Sequence, residues 1–279
     1  MVMRCFIGLT LVGVSSSVLG VAPGLPTDTN TSDFGFVGQL NGASGVLVGS
    51  DVVLTARHVG AGTFTLPGVG TFSVVPGSVK NHPTDDLTLF RIDTGATTLT
   101  NYAQINVNRV AVNTAVTMVG FGGSGVLNGA GTGYDITIGA GTRRKATGIV
   151  EGTRLIDEPG FRLSSIYAPL RANGQGALVG GDSGGGWFLQ DGSARPQLVG
   201  INSWIDNFGT FSSWFQFSNH PTNFFGSGAA DLSAYNGWLV DNGASVVPEP
   251  GSLLVIGVGL SVLARRRARQ AASLDESAK

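Results

Sequence analysis

The sequence predicts an all-β protein of sandwich or barrel type with one short helix near its end, and three observations lead there. Short β-branched runs, "GVLVGSDVVLTA", "FTLPGVGTFSVV", "AVTMVGFG" and "PQLVGINSW", are separated by clusters of Gly, Asn, Asp and Pro, which punctuate strands with turns. No stretch sustains a helical period except a short one around "DLSAYNGWLVDN" at 231–242. Glycine makes up 44 of 279 residues, as suits a chain that turns often and tightly.

From the N-terminus, "MVMRCFIGLTLVGVSSSVLGVAPG" places one Arg before an apolar run and then small residues, the order of a secretory signal peptide over 1–22. Cys5, the only cysteine, lies inside it. The exported chain would therefore carry no disulfide and depend on its core and hydrogen bonds. Residues 23–33 read as a linker and 34–240 as the folded body, with a seam between two halves near Val110 to Asn113. A second linker follows at 241–247.

At the C-terminus, "VVPEPGSLLVIGVGLSVLARRRAR" joins a Pro-Glu-Pro punctuation, an uncharged run from Gly251 to Ala264 and four arginines. The run is short for a stable span of about 20 residues, and the arginines favour the cytoplasmic side. That order over 248–269 resembles the PEP-CTERM sorting signal of Gram-negative bacteria. The resemblance implies a transient transmembrane anchor, processing by an exosortase-type enzyme, and export to the cell envelope, cell surface or extracellular matrix. A tail follows at 270–279.

Between residues 23 and 247, 11 basic residues face 15 acidic ones, a net charge of −4. Such a body has no electrostatic footprint for nucleic acid. No cluster of His, Cys and carboxylate has metal-ligand spacing, so no metal and no cofactor is expected.

The stretch "GGDSGGG" at 180–186 leaves the Ser183 hydroxyl on a nearly bare backbone. By itself it reads either as a presented nucleophile or as a polar residue in a glycine turn. A serine nucleophile needs a base and a group that orients the base, brought together from distant parts of the chain. The three histidines are His58, His82 and His220. His58 ends the β-branched run "VVLTARHVG", where a strand can aim it, whereas His82 and His220 precede prolines in turns. Asp85 and Asp86 open "DDLTLFRID", with Leu87, Leu89 and Arg91 expected on one face.

"LTARH", "DLTLFRI", "GDSGG" and "LVGINSW", in that order, resemble the four signature stretches of the trypsin-like (chymotrypsin-fold) serine proteases. The resemblance spans nearly the whole body and implies two packed six-stranded antiparallel β-barrels with the site between them. It assigns the base to His58, its orienting carboxylate to Asp86 rather than Asp85, and the nucleophile to Ser183. The oxyanion hole falls to the backbone N–H groups of Gly181 and Ser183.

Asp182 matches the aspartate that pairs with a new N-terminus in many animal members, but "VAPG" at 21–24 only faintly echoes their start. An internal arginine is expected as its partner instead, from Arg143, Arg144, Arg154, Arg162 and Arg171. The specificity pocket maps by register onto Ala177, Ser203, Trp204 and Ile205. With no carboxylate at 177 and a bulky Ile205, cleavage after small or medium apolar residues of a protein or peptide substrate is expected. Arg57, where relatives carry a small residue, has no explanation in the sequence. An aromatic run at 204–225 reads equally as a substrate grip or a local hydrophobic cluster.

Two rivals remain at this level. Gly181 to Gly185 also satisfies G-x-S-x-G, with Asp206 and His220 in the order of an α/β-hydrolase esterase, although no helix or βα alternation follows. The same fold could also serve as a catalytically silent, surface-displayed binding module.

Overall fold

The computed structural model describes residues 33–127, 134–158, 161–170, 175–189, 195–207 and 225–247. The expected signal peptide, most of the aromatic run and the sorting segment from 248 onward lie outside them, as do Arg171 and His220. The first half contains β1 (Val37–Leu40), β2 (Ala43–Leu47), β3 (Val52–Thr55), β4 (Phe64–Leu66), β5 (Gly70–Val74), β6 (Lys80–Asn81) and β7 (Thr88–Asp93). Successive pairings run β1–β2–β3–β7–β5–β4 and back to β1, so six strands close into a barrel. Closure removes the exposed edges that an open sheet would offer to other chains. β6 pairs with β7 outside that ring.

The second half contains β8 (Gln104–Asn106), β9 (Ala115–Gly120), the hairpin β10 (Ser124–Leu127) and β11 (Tyr134–Ile138), β12 (Arg144–Ile149), β13 (Gly152–Glu158), β14 (Phe161–Pro169), β15 (Gly186–Leu189), β16 (Gln197–Asn207), β17 (Phe225–Asp231) and β18 (Val246–Val247). Its antiparallel path is β12–β9–β15–β16–β17–β14–β13. The expected second six-stranded barrel is thus only partly seen, because no described pairing joins β12 to β13. The two-residue link between them spends its amides elsewhere, Val150 N–H on the Thr114 carbonyl at 2.9 Å and Glu151 N–H on the Tyr167 carbonyl at 3.0 Å. The chain joins this sheet before the expected seam, as β8 runs parallel to β16.

Residues 241–247, read as a linker, belong to the fold. β18 pairs parallel with β8, and Ser245 N–H donates to the Val48 carbonyl of the first barrel at 2.8 Å. The expected helix is a 3₁₀ turn over Leu232–Tyr235 followed by α1 (Asn236–Asp241). Asp231 accepts from the Ser233 amide at its start, a side-chain cap. Leu232, Tyr235 and Leu239 supply the buried stripe.

Two apolar clusters fill the interior. The larger spans both halves, with Phe34 and Phe36 packed on Phe188 of β15 at ring distances of 5.1 and 5.5 Å. Both faces of β7 are covered at its start, so Leu87 to Phe90 are all buried. The expected alternation therefore shows only from Arg91, which pairs with Asp51 at 2.8 Å on the surface.

The smaller cluster surrounds Trp187, wholly buried, whose indole N–H has no hydrogen-bond acceptor. Trp187→Ala should cost about 3–5 kcal/mol, the usual range for emptying an aromatic site. Trp187→Phe should cost no more than about 1 kcal/mol, because it also removes an unsatisfied donor. Urea unfolding of the two variants with unchanged slope checks both values.

Candidate active site

In the register of β3 on β7, Thr55 faces Thr88. Extending it by two or three residues sets His58 beside Asp86 at one end of the first barrel. His58 occupies the turn just past β3, where the Val59 and Gly60 amides return to the Ala56 carbonyl at 3.1 and 3.3 Å. Its side chain is 27% exposed while that of Asp86 is 3% exposed. Oδ1 of Asp86 accepts from the His58 amide at 2.9 Å, and His58 Nδ1 lies 2.9 Å from Oδ2 and 3.1 Å from Oδ1. Ser203 Oγ, from β16 in the other half, donates to Oδ2 at 2.5 Å. An ionised carboxylate only accepts, so these contacts assign the proton to Nδ1 and leave Nε2 as the basic nitrogen.

The turn that carries Asp86 is anchored to its surroundings. Asp86 N–H donates to the Arg162 carbonyl at 3.2 Å, and Asp85 N–H donates to His82 Nδ1 at 3.1 Å. His82 meets Tyr235 and Trp238 edge-on at 5.1 and 5.3 Å, and burial holds its pKa below the ordinary histidine value. Arg57 Nη1 donates to the His82 carbonyl at 3.2 Å, which accounts for a residue the sequence left unexplained. The Asp85 carboxylate faces Thr84 Oγ1 at 2.8 Å and Arg162 Nε at 3.9 Å.

Ser183 sits half-buried in the turn before β15. Its carbonyl accepts from the Ser44 amide of the first barrel at 2.9 Å, and Gly184 N–H donates to the Asn202 carbonyl at 2.8 Å. Gly184 has φ +80°, and a Cβ there would lie 2.1 Å from Thr55 Oγ1 and 2.2 Å from the Ser44 carbonyl oxygen. Only glycine fits a backbone pressed so closely on β2 and β3. Ser183 is thereby held against β2 of the first barrel.

The expected pocket positions fall differently. Ala177 is fully buried, and Ser203 and Trp204 are each 6% exposed, with the Trp204 indole N–H on Ser165 Oγ at 2.8 Å. Ile205 alone of the four keeps partial exposure and packs beside the smaller core. Ser203 reaches Asp86 because the β16–β17 register shifts between Asn202 and Trp204, a bulge that re-aims one side chain. Asp206 and His220 of the esterase alternative fall outside what the structure describes at side-chain level, but among the described residues there is no run of helix-linked parallel strands such as that fold needs.

Residues 24–212 match the family model Trypsin. The chain belongs to the trypsin family. Residues 246–269 also match the PEP-CTERM protein-sorting motif. No curated protein sequence matches the chain. Among solved structures, it is similar to the Rv3671c protease in its inactive form, at 14% identity and TM-score 0.50, over 77% of this chain and 92% of that one. A serine-to-alanine mutant of Rv3671c from M. tuberculosis H37Rv, also inactive, is found at 14% identity and TM-score 0.49, over 78% and 95% of the two chains.

In this trypsin-family chain the partner of Asp182 is not the side chain expected. The fully buried carboxylate accepts from the backbone amides of Gly122 at 2.7 Å and Val179 at 2.9 Å. A Cβ on Gly122 would lie 2.5 Å from its Cγ, so the bare backbone is what admits the carboxylate. Arg144 acts on it only as a nearby charge, because its guanidinium is bound to the carbonyls of Gly122, Thr142 and Gly139. Arg143 bonds the Val37 carbonyl and Arg162 faces Asp85.

Burial pushes the Asp182 carboxyl up to about 7, against the opposing pull of the two amides and Arg144. The folded state therefore favours the protonated acid. That contribution is intact below the unfolded value near 3.8, and it is lost as pH rises through about 7. Wild-type stability should fall across this window with a slope approaching ~1.4 kcal/mol per pH unit. Asp182→Asn, compared by chemical unfolding at each pH, should flatten that slope.

Proposed function

We propose that the protein is an exported serine endopeptidase using His58, Asp86 and Ser183. The observation that carries this reading is the buried Asp86 carboxylate, which holds His58 by Nδ1 and takes a further hydrogen bond from Ser203 across the seam. His58 Nε2 would accept the Ser183 proton as Oγ attacks the scissile carbonyl, then return it to the leaving amine. Asp86 would keep the tautomer and balance the imidazolium. The backbone N–H groups of Gly181 and Ser183 would stabilise the developing oxyanion, with Gly181 at φ +97° on a loop bonded to its neighbours.

The substrate would bind as an added strand. β15 meets β16 as far as Ile201, and Asn202 bonds Gly185, so beyond it the β15-side edge of Ser203 to Ile205 has no described strand against it. Extended peptides join such edges through main-chain hydrogen bonds. Ala177 offers no carboxylate for a basic side chain, and Ile205 narrows the approach, which supports cleavage after small or medium apolar residues. The sorting motif supports export to the envelope of a Gram-negative bacterium, with an exosortase-type enzyme acting on the C-terminal segment.

Fluorophosphonate labelling tests the reaction. The purified chain should label at Ser183, and Ser183→Ala or His58→Ala should reduce labelling and peptide hydrolysis by at least about 10³-fold while circular dichroism stays unchanged. A folded wild type that never labels would favour the binding-module reading.

A peptide library tests the pocket. Cleavage after Ala, Val or Leu is expected to exceed cleavage after Arg or Lys, and the opposite preference would overturn the pocket assignment.

A further inference from the structure

We infer that Ser44, on β2 of the first barrel, is a positioning residue for the oxyanion loop of the second half, an inference that rests on the proposed protease reading. Ser44 is fully buried and uses every hydrogen-bonding group it has at the seam. Its amide donates to the Ser183 carbonyl at 2.9 Å, and its carbonyl accepts from Thr55 Oγ1 at 2.9 Å. Its hydroxyl donates to the Gly181 carbonyl at 2.9 Å and accepts from the Phe121 amide at 2.9 Å. One side chain thus connects the first barrel, the end of β9 and the loop that carries the nucleophile.

The position of these bonds matters more than their number. The two oxyanion donors are the amides of Gly181 and Ser183, and the directions of those amides follow from the peptide planes around them. Gly123 N–H holds the Gly180 carbonyl at 3.3 Å, which sets the plane containing the Gly181 N–H. Ser44 Oγ holds the Gly181 carbonyl, and the Ser44 amide holds the Ser183 carbonyl. These contacts hold the backbone before Asp182 and after Ser183. The plane between them, which carries the Ser183 N–H, is held by Asn202 Nδ2 at 2.8 Å and the Gly185 amide at 3.0 Å on the Asp182 carbonyl. Gly181 and Gly184 both have positive φ and carry no Cβ to limit them, so the loop has alternatives that only outside contacts remove. The Ser44 hydroxyl supplies one such contact from a closed barrel, a rigid support for a loop that must not shift as charge develops.

Loss of the hydroxyl would leave the Gly181 carbonyl and the Phe121 amide without this partner. The Gly181–Asp182 peptide plane, which links the two planes that carry the donors, would then be held only by Asp182 N–H on the Val179 carbonyl at 3.1 Å. Oxyanion donors misplaced by a fraction of an ångström through it act mainly on the transition state. Substrate held along Ser203 to Ile205 would bind as before. Ser44→Ala is therefore expected to lower kcat per titrated active site by roughly 10- to 100-fold with KM within about twofold. Ser44→Thr, which keeps the hydroxyl, should recover most of the loss.

A peptide aldehyde of the preferred sequence supplies a second reading of the same effect. Ser183 Oγ adds to the aldehyde carbon, the carbonyl π pair moves to oxygen, and the Ser183 proton passes to His58, so the adduct carries the oxyanion. Its inhibition constant should rise in Ser44→Ala by the same factor by which kcat falls. An unchanged kcat per active site, or a loss confined to KM, overturns the inference and leaves the protease reading standing.

A wild type that neither labels nor cleaves overturns the protease reading, and hydrogen exchange then decides on Ser44 alone. Faster exchange across 177–186 in Ser44→Ala, with the global melting temperature kept, upholds its hold on the loop; unchanged exchange overturns it. If Ser44→Ala does not fold, the wild-type Phe121 amide decides. Exchange only through global unfolding is expected, and exchange through local opening overturns the inference.

Discussion

The Asp86 carboxylate is the constraint on which the arrangement at the seam depends. A buried charge is tolerated only when hydrogen-bonding groups replace the water it has lost. Here the replacements come from both halves of the molecule: the amide and ring of His58 from the first barrel, and the Ser203 hydroxyl from β16. Separating the halves would remove the Ser203 hydroxyl from that shell. The interaction that orients the imidazole is therefore also one that holds the two β-structures in register.

The loop around Ser183 meets a similar requirement by other means. It must expose a hydroxyl while turning tightly, so it is built from glycines, and glycines alone do not specify one conformation. Specification comes from neighbours. Asp182 is buried on the amides of Gly122 and Val179, Asn202 Nδ2 holds the Asp182 carbonyl at 2.8 Å, and Ser44 holds the carbonyls on either side. Residues 23–247 contain no cysteine, and these polar contacts do the local fixing that a cross-link would otherwise do.

Some of this was legible in the sequence because it is local. A β-branched run ending at His58, a strand opening at Asp86 and a glycine turn around Ser183 each advertise their own geometry, and their order carried the family resemblance. The short helix at 232–241 follows from the same strand and turn punctuation, which left sandwich and barrel open; the closed first barrel was an expectation of the family resemblance alone. Ser44 gave no signal, because a serine in "NGASGVL" is indistinguishable from a turn residue until β2 meets the second half. The donors to Asp182 were missed for a different reason. Searching side chains for a counter-charge overlooks backbone amides, which every residue has and no residue type announces. The partner of Arg57 was hidden in the same way, being the carbonyl of His82.

The C-terminal boundary shows how far a composition-based division can depart from a physical one. Residues 241–247 look like a spacer between a domain and a signal, yet Val246–Val247 forms β18 on β8, and the Ser245 amide reaches the first barrel. The match to the sorting motif begins at residue 246, so fold and signal share those two valines. β8 lies between β16 and β18, so trimming the chain before residue 246 would strip one of its two neighbours and expose Ile105, which is fully buried. Any processing that leaves the domain intact must act beyond Val247. The fold itself thus sets the innermost point at which the sorting segment can be removed.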